Sequence, residues 1–234
     1  MQASDIGFVQ FLRLVASGSL DEVSRVLEQD VSLAMTSSAI GATRQSASDF
    51  FIPEIRHYVY SGDTALHVAA AAFRRPVAEL LLGRGADCRA RNRREAEPLH
   101  YAADANHWNP SAQAGVIEYL ISSGADANAR DAAGVTPLHR AVRTRSLAAV
   151  RALVDGGADP LRRSNAGSTP LHLAVQPTGR GGSGSEEARL QQAGIIRFLL
   201  AHGANPADLD GKGKSVYDAA TSRRVRQTLT EITR

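Results

Sequence analysis

The sequence predicts an all-α fold of about six helix–turn–helix repeats that stack on one another. The first observation is a four-residue motif ending in Leu-His, whose copies begin at Thr64, Glu97, Thr136 and Thr169. The second is a Gly-Ala-Asp or Gly-Ala-Asn motif after each copy, with its glycines at Gly85, Gly124, Gly157 and Gly203. Both motifs recur with a shortest step of 33 residues. A fixed period of this length is typical of repeat proteins.

The residues of the two motifs explain where helices begin and end. A threonine at the head of the first motif can cap a helix with its hydroxyl. The proline after it in three copies suits the first helical turn, where its missing N–H would be unpaired anyway. The glycine of the second motif ends the next helix because glycine readily adopts a positive φ. Apolar residues between the motifs recur at helical spacing, as in Val116, Ile117, Leu120 and Ile121. One helix pair cannot bury such a face alone, so neighbouring pairs must stack.

These two motifs, recurring in phase, resemble those of the ankyrin repeat family over about residues 5–233. The resemblance implies an ankyrin-repeat α-solenoid with β-turn fingers near one edge. The implied function is a non-catalytic protein–protein interaction module that holds a protein partner on the concave face and the fingers. The resemblance also implies that the motif histidines are structural and hydrogen-bond between neighbouring turns: His67, His100, His139 and His172.

We expect a single ankyrin-repeat domain over residues 1–234, with atypical repeats as caps at both ends. The N-terminal cap repeat spans about residues 5–32 and carries an apolar stripe at helical spacing. An insertion occupies residues 33–62, and further repeats follow over about residues 63–213. The C-terminal cap repeat covers about residues 214–233.

Two insertions carry side chains that the repeat does not explain. The segment at residues 33–62 is rich in aromatic residues, and it is interpreted either as a binding surface or as a cluster packing against the first repeat. The alternative function is a small-molecule binder or enzyme whose site is built by this insertion and by residues 104–112. Under either binding interpretation, the candidate residues from the insertions are His57, Tyr58, Tyr60, His107 and Trp108.

An arginine cluster lies in the predicted finger before the third repeat. Its members are Arg89, Arg91, Arg93 and Arg94. These side chains predict a positive stripe that contacts an acidic partner, and the alternative is a solvated hairpin. Exposed charges contribute little to stability, so we expect replacement of all four by serine to leave the melting temperature almost unchanged. Aromatic residues are not interleaved with the arginines, so we expect no nucleic-acid partner.

Composition and missing motifs set further expectations. The chain is 43% hydrophobic and has a net charge of +3, which is typical of a globular protein and weak support for nucleic-acid binding. Its single cysteine, Cys88, excludes an internal disulfide. The catalytic motifs for a nucleophile elbow, a phosphate loop and a zinc protease are absent from the sequence. We therefore expect no catalytic residues, no metal and no cofactor. The lack of a membrane-length apolar run or a basic leader favours a cytoplasmic protein that does not bind a membrane. We also expect the protein to be a monomer.

Overall fold

The structure is a computed structural model that describes residues 3–43, 47–104, 109–178 and 184–232. Within these ranges, twelve α-helices form six consecutive pairs. The pairs are α1 (Ala3–Ser17) with α2 (Leu20–Gln29), α3 (Ala65–Ala71) with α4 (Arg75–Gly83), α5 (Pro98–Ala103) with α6 (Pro110–Ser122), α7 (Pro137–Arg143) with α8 (Leu147–Asp155), α9 (Pro170–Ala174) with α10 (Glu186–Ala201), and α11 (Val216–Ala219) with α12 (Arg223–Ile232). The predicted all-α fold class is confirmed.

The first insertion is the part of the described chain that departs furthest from a helix pair. A short 3₁₀ helix, Val31–Ala34, leads into it, and two more lie within it at Ala47–Phe50 and Pro53–Ile55. A two-stranded antiparallel sheet joins β1 (Phe51–Ile52) to β2 (His57–Tyr58). In its register Phe51 pairs with Tyr58, and Ile52 pairs with His57.

The chain divides into two compact units, Met1–Asp126 and Ala127–Arg234. In the N-terminal unit, α1 packs on α3 and α3 packs on α5. The core there includes the fully buried leucines Leu12, Leu27, Leu66, Leu81 and Leu99. In the C-terminal unit, α7 packs on α8 and α9, and α10 packs on α12. Its core includes Leu138, Leu153, Leu171, Ile195 and Leu199. The domain boundaries expected from the sequence stay a prediction.

In each repeat with the Leu-His motif, the buried histidine of the first helix faces the start of that helix. In α3, the Nδ1 atom of His67 accepts a hydrogen bond from the Thr64 backbone N–H at 3.1 Å. The Thr64 hydroxyl oxygen lies 2.9 Å from the same ring nitrogen. In α5, His100 accepts in the same way from the Glu97 backbone N–H at 3.1 Å. Because Nδ1 acts as the acceptor, the ring proton is on Nε2.

That Nε2–H group points toward a backbone carbonyl of the following finger. His67 Nε2 lies 3.0 Å from the Ala96 carbonyl oxygen, and His139 Nε2 lies 3.1 Å from the Ser168 carbonyl oxygen. Burial lowers the pKa of His139, because the protonated ring would lose water, so the neutral ring is favoured. These contacts support the structural role expected for the motif histidines, which stays a prediction.

Removing a histidine ring from the C-terminal unit tests that role. We expect His139→Ala and His172→Ala each to lower the free energy of unfolding by about 1–3 kcal/mol, because each leaves buried backbone groups without partners. Urea unfolding followed by circular dichroism measures the change. His202→Ala is the matched control, because His202 is exposed at the end of α10. Unfolding midpoints equal to wild type in both buried variants would rule out the structural role.

Candidate functional site

The interior of the first insertion is an apolar cluster. Phe50, Ile52, Ile55 and Val59 are each at most 2% exposed. The 3₁₀ helix Pro53–Ile55 contacts α1 in the first repeat. The insertion therefore packs against that repeat, as the second of its two sequence interpretations expects. Of its polar aromatic side chains, Tyr58 is exposed, and His57 and Tyr60 are half-buried.

Gly41 lets two extended segments of the insertion, residues 38–42 and 59–62, approach each other closely. The Ala42 N–H donates to the Val59 carbonyl at 2.8 Å, and the Gly62 N–H donates to the Ser38 carbonyl at the same distance. A Cβ atom at Gly41 would clash with the backbone of Tyr60 and Ser61. This pairing fixes the backbone on which Tyr60 is carried.

A buried carboxylate joins the end of the insertion to the next finger and to α5. Asp63 is fully buried, and one of its oxygens accepts from the Tyr60 backbone N–H at 2.7 Å. The other oxygen accepts from the Asn92 side-chain amide at 2.8 Å. The Tyr101 hydroxyl donates to the same carboxylate at 2.8 Å. Sequence reasoning named none of these three contacts, and the only signal for them was an acidic residue directly before the Thr64 motif.

The arginines of the finger meet the tyrosine of the insertion at the surface. The guanidinium carbons of Arg93 and Arg94 lie 4.9 and 4.7 Å from the centre of the Tyr60 ring. The His57 ring lies edge-on to the same tyrosine, with 5.8 Å between ring centres. Tyr58 is 39% exposed and packs on Phe51, with ring centres 5.1 Å apart.

We call this patch the finger–insertion surface, and it consists of His57, Tyr58, Tyr60, Arg93 and Arg94. The sequence placed its members in two separate groups, and the structure brings them together. Arg93 is held by a hydrogen bond from its Nη2 to the Ala42 carbonyl at 3.0 Å. The Arg94 guanidinium has no hydrogen-bond partner among the described residues, so its donors are available to a ligand.

The other two finger arginines form contacts within the N-terminal unit. Arg89 donates from Nε to the Gly124 carbonyl at 2.8 Å, and Arg91 donates from Nε to Glu97 at 3.2 Å. Both side chains are exposed, so these contacts are compatible with a solvated hairpin. The expectation that replacement of all four arginines by serine leaves stability almost unchanged stays a prediction.

Glu97 replaces the threonine that heads the other three copies of the motif. Its side chain is only 3% exposed, and its Oε2 atom has no hydrogen-bond partner among the described residues. Burial raises the pKa of this carboxyl, and the nearby Arg91 guanidinium opposes the shift. In the copies at Thr136 and Thr169, a hydroxyl lies 2.8 Å from the histidine Nδ1 instead.

The alternative site predicted between the two insertions corresponds in part to a small polar cavity. A cavity of about 250 Å³ is lined by Glu54 of the first insertion, Arg74, and Asn109 of the second. His57, Tyr58 and Tyr60 do not line it. His107 and Trp108 lie outside the described residues, so their part in this site stays a prediction.

Comparisons with known families decide which repeat this is. The pattern described as ankyrin repeats (3 copies) matches residues 109–210, and the pattern described as ankyrin repeat matches residues 61–93. The chain belongs to the ankyrin repeat family. Ankyrin repeats are generally protein-interaction modules, so this ankyrin-repeat protein has a fold suited to binding proteins. A comparison with curated proteins found none that matches the chain.

Among the helices in the described ranges, none combines the length and the apolar character needed to cross a membrane. In the same part of the chain, no three histidine, cysteine, aspartate or glutamate side chains come together as a group that could hold a metal ion.

Restoring threonine at position 97 should stabilise the protein. We expect Glu97→Thr to raise the free energy of unfolding at pH 7 by about 1–2 kcal/mol, because it removes a buried acceptor that lacks a partner and loses only a partly exposed ion pair. A carboxyl with a raised pKa stabilises the fold below its unfolded pKa and loses that contribution as the pH rises. The gain from the substitution should therefore shrink as the pH falls toward about 4.5.

Urea unfolding at several pH values measures this gain. Thr136→Glu, which places the same side chain at the equivalent position of the fourth repeat, is the mirror control and should destabilise. Equal stability of Glu97→Thr and wild type at neutral pH would contradict the assignment of Glu97 as an unfavourable buried charge.

Proposed function

We propose that this protein is a protein–protein interaction module that binds an acidic segment of its partner on the finger–insertion surface. The observation that carries the proposal is the packing of Arg93 and Arg94 against the ring of Tyr60. A guanidinium that lies over an aromatic ring keeps its in-plane N–H donors free, and these donors match the two oxygens of a carboxylate.

The surface is held in place before a partner arrives. Arg93 is fixed by the Ala42 carbonyl, and the backbone of Tyr60 is fixed by the buried Asp63 carboxylate. Ordering side chains on binding costs affinity, so a surface that is already ordered binds more tightly for the same contacts. Tyrosine and arginine are also the residue types that contribute most often to binding energy at protein interfaces.

The remaining parts of the functional hypothesis rest on the sequence. A partner contact on the concave face, a non-catalytic role, a monomeric state and a cytoplasmic location stay predictions. Of the four finger arginines, Arg93 and Arg94 are the better candidates for partner contact, because these two pack on the Tyr60 ring.

The alternative, a small-molecule binder or enzyme, keeps one supporting observation. The cavity beside Arg74 brings a carboxylate, Glu54, and a guanidinium to the same opening. Its volume of about 250 Å³ is below the range of about 300–1,000 Å³ that is common for small-molecule sites. The finger–insertion surface is therefore the better-supported site.

Charge reversal at one exposed position tests the proposal. We expect Arg94→Glu to weaken binding of the partner at least about tenfold, because it replaces a free guanidinium with a repelling carboxylate. Partners are captured from native lysate with wild-type protein and identified by mass spectrometry. Each purified partner is then titrated at about 50 mM and about 300 mM salt, where binding to an acidic segment should weaken as salt screens the charges.

The matched control is Arg162→Glu, since Arg162 is an exposed arginine in a finger of the C-terminal unit. It should bind the partner as wild type does, and both variants should melt at the wild-type temperature. Equal partner affinity in Arg94→Glu and wild type, with an unchanged salt dependence, would remove the finger–insertion surface from the interface.

A further inference from the structure

A second surface of the N-terminal unit is an apolar groove between α1 and α2. Its volume is about 570 Å³. Its apolar lining consists of the buried Phe8 and Phe11 and the half-buried Leu14, Val26 and Leu33. Polar groups lie along the rim: Gln10, Asp30, Ser32 and Thr36. We call this feature the first-repeat groove.

The groove borders the buried face of α1 and extends to its partly exposed residues. Leu12 and Val15 of α1 are fully buried between the helices of the unit. Gly7, Phe11 and Leu14 follow one another at a spacing of three to four residues and line the groove, where Phe11 is only 5% exposed. Leu14 is only half-buried, so apolar area at this groove stays in contact with water.

The packing of the unit indicates the shape that fits the groove. The first helix of each repeat packs beside the first helix of the next, α1 on α3 and α3 on α5. The groove itself is bounded by α1, by α2 and by residues 32–36. A helix with an apolar stripe fits a groove of this kind.

The charge around the groove indicates the sign of the partner. Glu22, Val26 and Asp30 are spaced four residues apart and so share one face of α2 and its C-cap. Val26 and Asp30 line the groove, and Glu22 is exposed one turn before them. The groove lining contains no lysine or arginine among the described residues, while α1 and α2 carry two exposed arginines, Arg13 and Arg25. Acidic side chains outnumber these arginines on α2 and its C-cap, so the net charge beside the groove is negative, which favours a basic partner.

We propose that the first-repeat groove binds a basic amphipathic helix of a partner protein. The apolar stripe of that helix packs on the half-buried Leu14, Val26 and Leu33, and its lysine or arginine residues face Glu22 and Asp30. This surface differs in charge and chemistry from the finger–insertion surface, so the two proposals stand or fall separately.

Gly7 offers a clean way to block the groove. A Cβ atom at Gly7 meets no atom within 4 Å, so a side chain can be added at this position without a clash inside the protein. Gly115 in α6 is equally open around its Cβ position. Gly7→Arg and Gly115→Arg therefore make the same chemical change in two helices, and replacing a helical glycine should not reduce stability in either.

The probe is a synthetic helical peptide of about 18 residues with leucine on one face and lysine elsewhere. The control peptide carries glutamate in place of lysine. Fluorescence anisotropy with the full chain measures binding. We expect the lysine peptide to bind wild type and Gly115→Arg equally and to bind Gly7→Arg at least about tenfold more weakly. Glu22→Lys should also weaken binding of the lysine peptide, and Arg94→Glu should not.

Failure of the lysine peptide to bind wild type would overturn the proposal. The proposal would also fail if the lysine peptide bound Gly7→Arg as tightly as wild type, or if the glutamate peptide bound wild type as tightly as the lysine peptide. Analytical ultracentrifugation tests whether a second copy of the chain occupies the groove instead. Concentration-dependent dimerisation of wild type that Gly7→Arg abolishes would identify a second copy of the chain in the groove, which would also overturn the proposal.

Discussion

The buried carboxylate of Asp63 is the interaction on which the described binding surface depends. It accepts hydrogen bonds from the insertion, from the finger and from α5, through Tyr60, Asn92 and Tyr101. A fully buried carboxylate without such donors would be strongly unfavourable. The three segments are therefore held in one arrangement, and Tyr60 and the finger arginines meet as a consequence.

Both candidate surfaces occur where the chain departs from a regular repeat. The finger–insertion surface needs the extra residues between the first and second repeats, and the first-repeat groove is bounded in part by the segment that follows α2. The motif histidines, by contrast, occupy equivalent positions and make equivalent contacts in α3 and α7. The repeat accordingly supplies the scaffold, and its irregular parts supply the chemistry that distinguishes this chain.

The sequence predicted the features whose causes are local. Helix starts at Thr64 and Thr136 follow from side-chain capping within three residues, and the period of 33 residues follows from motif spacing alone. The contact of Tyr60 with Arg93 was not predictable from the sequence. It depends on the close approach of the Gly41 backbone to residues 60–61 and on the buried Asp63 carboxylate. The first-repeat groove was missed because an apolar stripe in a sequence does not show which part of it stays uncovered.

Hydrogen exchange in Asp63→Asn tests the central claim most directly. An asparagine keeps the shape of the side chain but presents only one acceptor oxygen to the three donors. We predict at least about tenfold faster amide exchange at residues 57–63 and 92–94, with α6 amides unchanged as the reference for global unfolding. Asp87→Asn, at an exposed turn of the same unit, should leave these segments as in wild type. Unchanged protection of Tyr60 and Arg93 in Asp63→Asn would contradict the account.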